Sequence, residues 1–130
     1  ETIADAKKLL RLEVDLGEMG VQEERVKEIA LENTGIEPLK ISRVRTSCMC
    51  TSAVLVLNGR ESPEFNMEMH NSPAVNAWVG TLGPGERGVL RIIYRPYLMP
   101  EPGDIERFIL FETDDPAHRK VQVRMTAFLK

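Results

Sequence analysis

At 130 residues the chain is long enough to bury a core without disulfide or metal staples, and short enough that one domain is the default. Charged residues make up 28% and hydrophobic residues 42%, the balance of a folded globular domain, not a disordered one. The net charge is -3 with both signs interspersed, so no basic stripe offers itself to phosphates and nucleic acid is excluded as the expected partner. No apolar run approaches the roughly 20 residues that cross a bilayer, and the expectation is a soluble chain without membrane contact. The first residue is Glu1, so the chain follows a cleaved signal, an excised membrane anchor or an artificial start.

Residues 2–10 place Ile3, Ala6, Leu9 and Leu10 at helical spacing behind the cap candidate Thr2, which predicts a short helix or stalk over residues 1–11. Leu12, Val14 and Leu16 then alternate with Glu13 and Asp15, the pattern of a half-buried strand stopped by Gly17 and Gly20. A second strand runs from Arg25 to Glu32 and ends at Asn33-Thr34-Gly35, where glycine adopts a positive φ at little cost. Leu39, Ile41 and Val44 begin a third. Thr51 to Leu57 is β-branched and apolar and closes on Asn58-Gly59, a strong turn signal.

From Arg60 to about Val79 no period is visible, and a structureless connection of that length inside a compact domain is uncommon. Phe65 and Trp78 argue that it packs on something. Leu82-Gly83-Pro84-Gly85-Glu86 has the proline and glycine of a type II turn. Strands follow at Val89–Tyr94, Ile105–Glu112 and Val121–Ala127, the last two separated by Thr113-Asp114-Asp115-Pro116. Seven candidate strands with almost no helix predict an all-β, antiparallel immunoglobulin-like sandwich over residues 12–130, with an insertion at about 60–79.

Both cysteines lie in Ser47-Cys48-Met49-Cys50-Thr51. In an extended strand their sulfurs would share one face, with Met49 on the other. Of the ten Cys, Met and His residues in the chain, six fall between Cys48 and His70. Cys48, Cys50, Met67, Met69 and His70 are therefore the candidate metal ligands: thiolates and thioethers select Cu(I), and two Cys with a His suit Zn(II) less specifically. Methionines filling gaps beneath a loop and a solvated histidine are the plain counterpart of that reading. A Cys48–Cys50 disulfide is a second reading; in a regular strand the two Cα atoms would lie about 6.5 Å apart, at the long end of the range, so the bond would be strained and reducible.

Gly83-Pro84-Gly85-Glu86-Arg87-Gly88 spells a dinucleotide fingerprint but precedes a strand, not a helix, and is read as a turn. Asp114 and Asp115 are turn residues, His118 a solvated loop residue, and Cys48 has no evident base partner, so no enzyme is expected.

Asn33-Thr34-Gly35-Ile36-Glu37-Pro38-Leu39-Lys40-Ile41, the Cys48-Met49-Cys50-Thr51 run, Pro84-Gly85-Glu86 and Thr113-Asp114-Asp115-Pro116 together resemble a bacterial family of uncharacterised immunoglobulin-like domains. That family carries N-x-G-x-x-P-L-x-I, C-x-C-T, P-G-E and T-N-D-P motifs, and is similar to the ASH and hydin-type domains, the major sperm protein domain and the PapD-like chaperones. The resemblance covers roughly residues 12–130. It implies an antiparallel sandwich, usually exported to the periplasm or surface, with no established catalysis. The chain departs from the pattern at Met49, where the family often has glycine, and in its insertion. The leading expectation is an exported binding or assembly module with a protein partner and a copper site at Cys48. A metal-free interaction domain using loops or an edge strand, and a thiol redox protein using Cys48 and Cys50, are the other two.

Overall fold

The structure, a computed structural model, describes residues 9–130. Among these residues nine strands form two sheets: β1 (Leu9–Met19), β2 (Arg25–Glu32), β3 (Leu39–Thr46), β4 (Thr51–Leu57), β5 (Arg60–Glu61), β6 (Val79–Leu82), β7 (Arg87–Tyr94), β8 (Gly103–Thr113) and β9 (Lys120–Leu129). One sheet has the order β1-β9-β8-β3-β6 and the other β2-β7-β4-β5. The immunoglobulin-like sandwich expected from the strand pattern is what forms. Every pairing is antiparallel except that of β1 with β9, which is parallel.

Residues 1–8 of the expected N-terminal helix lie outside the described residues, whereas Leu9 to Arg11 belong to β1, pairing with Lys120 to Gln122. The helical reading fails there because β9 supplies a free ladder edge for them, a tertiary contact that local spacing does not report. The same strand bulges between Asp15 and Glu18, where Gly17 takes φ +76°. Burial of Val14, Leu16 and Met19 shows the result: the inward set skips a residue and still faces the core. An equivalent irregularity in β3, between Ser42 and Arg45 with Arg43 at φ +54°, turns both Ile41 and Val44 inward although they are three apart.

The segment from Arg60 to Val79, expected as a long inserted loop packed through Phe65 and Trp78, contributes β5, the start of β6 and a four-residue helix, α1 (Pro73–Asn76), capped by Ser72. Its anchor is Phe65. That residue exchanges both backbone hydrogen bonds with Ala53 and is fully buried, with the Trp78 ring edge-on at 5.3 Å and 63°. Gly80 lies directly beneath the same indole, where a Cβ would overlap the Trp78 ring and Leu57. The core between the sheets is built from Ile41, Leu55, Leu90, Ile92, Ile109, Val123, Met125 and Leu129.

Phe65→Ala removes a fully buried ring and unseats the insertion. The expected cost is about 3–5 kcal/mol, read as a lower urea midpoint and as greater solvent exposure of the single tryptophan in fluorescence.

Candidate functional site

The chain crosses from the first sheet to the second between Thr46, the end of β3, and Thr51, the start of β4. Both cysteines lie in that crossing. Thr51 N–H donates to Cys48 O at 3.1 Å, closing a β-turn over Cys48–Thr51. The strand geometry expected for this stretch is thus replaced by a turn, and the turn shortens the Cα–Cα distance of the two cysteines to 5.2 Å, where their sulfurs are joined. That separation lies within the ordinary range of about 4.4–6.8 Å, so the expectation of an overstretched bridge is corrected by the turn.

The turn is fastened to both sheets. Ser47 N–H donates to Phe108 O at 2.9 Å and Ser47 Oγ accepts from Phe108 N–H at 2.9 Å, tying it to β8. Arg95 N–H donates to Cys50 O at 2.8 Å just beyond β7. From the insertion, Asn66 Nδ2 reaches Met49 O, Thr51 O and Ser52 Oγ at 3.1, 3.3 and 3.1 Å. Closing so small a ring restricts the unfolded chain by about 1.6 kcal/mol, against about 3 kcal/mol for a loop of about 15 residues. With this many hydrogen bonds already holding the turn, the bridge is a minor staple.

The two sulfurs have unlike surroundings. Cys50 is 1% exposed, and Arg107 Nε–H points at its Sγ from 3.4 Å. Arg107 is held in place by Glu106 O at 2.9 Å and by Glu101 Oε2 at 3.1 Å. Cys48 is 8% exposed, and its Sγ accepts the Cys50 N–H at 3.3 Å. Tyr94, which pairs with Thr51 across the β4–β7 ladder, buries its hydroxyl without a hydrogen-bond partner among the described residues. Burial raises its pKa, opposed by the positive charge of Arg107 and reinforced by the negative charge of Glu101.

Of the other predicted ligands, Met67 is half-buried beside Asn66, while Met69 and His70 are exposed on the turn closed by His70 N–H to Met67 O. Among the described residues no three His, Cys, Asp or Glu side chains converge on a point that a metal ion would occupy. Arg107, Asn66 and Tyr94 were not legible as site residues in the sequence. Nothing local marks them, since each arrives from a different strand or loop.

The opposite end of the sandwich holds the remaining motifs. Asn33, 8% exposed, donates from Nδ2 to Glu37 O and Leu82 O and accepts from Gly35 N–H, while its backbone pairs with Gly85 and Glu86. Gly85 takes φ +74° and Glu86 N–H donates to Gly83 O, the type II turn expected there. Asp114 pairs with the Lys40 backbone through Oδ1 and N–H, and Thr113 and Asp115 bond within their own turn. These turns flank an open cleft of about 540 Å³ lined by Leu12, Leu31, Leu39 and Phe111. His118 stands at its rim, exposed, with Asp115 at 3.5 Å.

The two packed sheets define an immunoglobulin-like sandwich domain. Residues 8–59 match the family described as a protein of unknown function (DUF1573), a stretch holding the Asn33–Ile41 and Cys48–Thr51 motifs. In three dimensions the chain is similar to a protein of unknown function from Porphyromonas gingivalis W83, at 21% identity and TM-score 0.67, covering 95% of this chain and 49% of that one. The chain therefore spans about half the length of that structure. It is also similar to the ASH/PapD-like domain 7 of human CEP192, at 16% identity and TM-score 0.51, covering 91% of this chain and 80% of that one. No curated protein matches the chain in sequence. The resemblance read from the motifs is borne out by the family match in β1 to β4 and by the PapD-like fold.

Burial fixes the sign of one pH effect. The buried Tyr94 phenol is favoured neutral, so its contribution is complete below the ordinary tyrosine value of 10.0 and is lost as pH rises through the raised one. The wild-type domain is expected to lose stability in denaturant titrations above about pH 10, and Tyr94→Phe to lose less.

Proposed function

We propose that this domain is an exported, non-catalytic binding or assembly module that docks a protein partner on the end of the sandwich carrying the Cys48–Cys50 turn. The observation that supports this reading most is the distribution of exposed apolar side chains. Met49, Tyr97, Leu98, Met99 and Phe128, each 40–44% exposed, belong to turns and strand ends at that one end; at the other end Ile36 (93%) stands by itself, while Val26, Met69 and Val79 are exposed on β2, the insertion and β6. Large exposed apolar and aromatic groups are what interface centres are made of. At the opposite end the motif turns spend their polar groups on one another. A disulfide is kept in oxidising compartments, which supports export; the described residues include no helix long and apolar enough to cross a membrane.

Edge-strand pairing is less well supported. The eight-residue edge β2 carries Arg25, Lys27, Glu28 and Glu32, and β1 bulges at its edge, both of which oppose addition of a foreign strand. Photo-crosslinkers placed at Leu98 and at Ile36, one at each end, test the docking surface in extracts of the native compartment. A protein adduct is expected from Leu98 and not from Ile36. Substitution of Met49 and Leu98 by Glu is expected to lower its yield about tenfold or more. An adduct from Ile36 alone would sink the proposal.

Copper binding is a second reading, confined to the reduced domain, since the joined sulfurs offer no thiolate. It is favoured by Asn66, which bonds to the turn and immediately precedes the half-buried Met67 in the chain. Cu(I) is expected to bind the reduced protein and not the oxidised one, with Met67→Ala weakening it by competition titration. Equal binding in both redox forms would remove the cysteines from the site.

A further inference from the structure

The disulfide contributes little as a staple, and its two sulfurs are not equivalent. Cys50 Sγ lies within a fixed cationic contact: Arg107 Nε–H at 3.4 Å, with the arginine side chain only 17% exposed and its guanidinium tethered at both remaining nitrogens. Thr51 Oγ1 lies at 3.4 Å from the same sulfur. A negative charge developing on Cys50 would meet this hydrogen-bonding pair without rearrangement, and a thiol stabilised as thiolate leaves faster from a disulfide. Cys48 Sγ accepts only the Cys50 backbone N–H, at 3.3 Å, and meets no cation among the described residues. It is the more exposed of the two, and its neighbour Met49 stands in solvent.

We propose that Cys48–Cys50 is a thiol–disulfide exchange site for cysteines of a protein partner, with Cys48 the sulfur attacked and Cys50 the leaving sulfur. Arg107 is the positioning residue that receives the charge. A partner thiolate forms a bond to Cys48 Sγ. The Cys48–Cys50 bond breaks, and its electron pair departs on Cys50 Sγ beside Arg107 Nε–H. A second partner thiolate then attacks the partner sulfur of this mixed disulfide and expels Cys48 as a thiolate, which takes a proton from water. The partner dithiol is oxidised by two electrons to a disulfide, and the domain is reduced by the same two. The reverse sequence reduces a partner disulfide. The inference is independent of the docking surface proposed above, since it concerns the bridge and not the contact area around it.

The test uses the whole oxidised domain with reduced glutathione and with dithiothreitol as the thiol probes. Acid quenching followed by peptide mass mapping is expected to find glutathione on Cys48. Arg107→Gln is expected to slow opening by dithiothreitol about threefold, the effect of a tenfold loss of leaving-thiol acidity at a Brønsted slope of about 0.5. Arg107→Lys is expected to restore much of the rate, and the ultraviolet thiolate signal of the reduced protein is expected to develop at higher pH in Arg107→Gln than in wild type. A merely structural arginine would leave both readouts unmoved. Reduction is expected to leave the circular dichroism and Trp78 fluorescence of the fold in place. Glutathione found on Cys50, an unchanged opening rate in Arg107→Gln, or unfolding on reduction would each overturn the proposal. Should Arg107→Gln fail to fold, the mass mapping on the unaltered chain decides the direction of attack by itself.

Discussion

Four residues, Ser47 to Cys50, carry the chain from one sheet of the sandwich to the other. Packed sheets lie about 10 Å apart, and an extended residue spans up to about 3.6 Å, so a link of this length could cross as an extended stretch with room to spare. The link is nevertheless not extended. It folds into a β-turn, and it succeeds because β8, the end of β7 and the insertion each offer it a hydrogen bond at the right place. The crossing therefore fixes where β3 and β4 sit relative to each other. It also determines why both cysteines meet.

Around this crossing the sandwich divides its labour between two ends. At one end the motifs of Asn33, Gly85 and Asp114 are consumed as structure: each side chain or turn residue pairs with backbone on another loop, and little polar capacity is left over. Their physical task is to stitch β2, β3, β7 and β8 where they enter or leave the sheets. At the other end the polar groups are less completely spent. Among the described residues a tyrosine hydroxyl has no partner, an arginine reaches a sulfur, and apolar side chains stand in solvent. Sequence motifs of comparable clarity thus mark a structural latch in one place and a chemically unfinished surface in the other.

The insertion links these themes. Phe65 and Trp78 hold it on the sandwich by burial, and Asn66, next to Phe65, turns that attachment into three hydrogen bonds on the crossing. Arg95 adds ion pairs to Glu64 at 3.1 Å and Glu24 at 2.8 Å, drawing the same loop toward the entry of β2. Exposed pairs of this kind are worth little individually, so the attachment rests on the two aromatic rings.

The alternation of apolar residues determined seven strands and the sandwich, because period-two burial on a sheet face is a local property of consecutive residues. The Gly85 turn was legible for the same reason: a single residue at positive φ requires glycine there. Three features were not. β1 reaches back to Leu9 because β9 offers it an edge, β6 forms on the short edge beside β3, and Arg43 breaks the period of β3 with a bulge. Each depends on a partner strand that local spacing does not name. The cysteines were visible as a pair from their spacing. Their union at 5.2 Å, and the difference between a sulfur beside Arg107 and one without a cation, were decided by residues 57 positions away in the chain, and only the packing of β8 against the crossing brings those together.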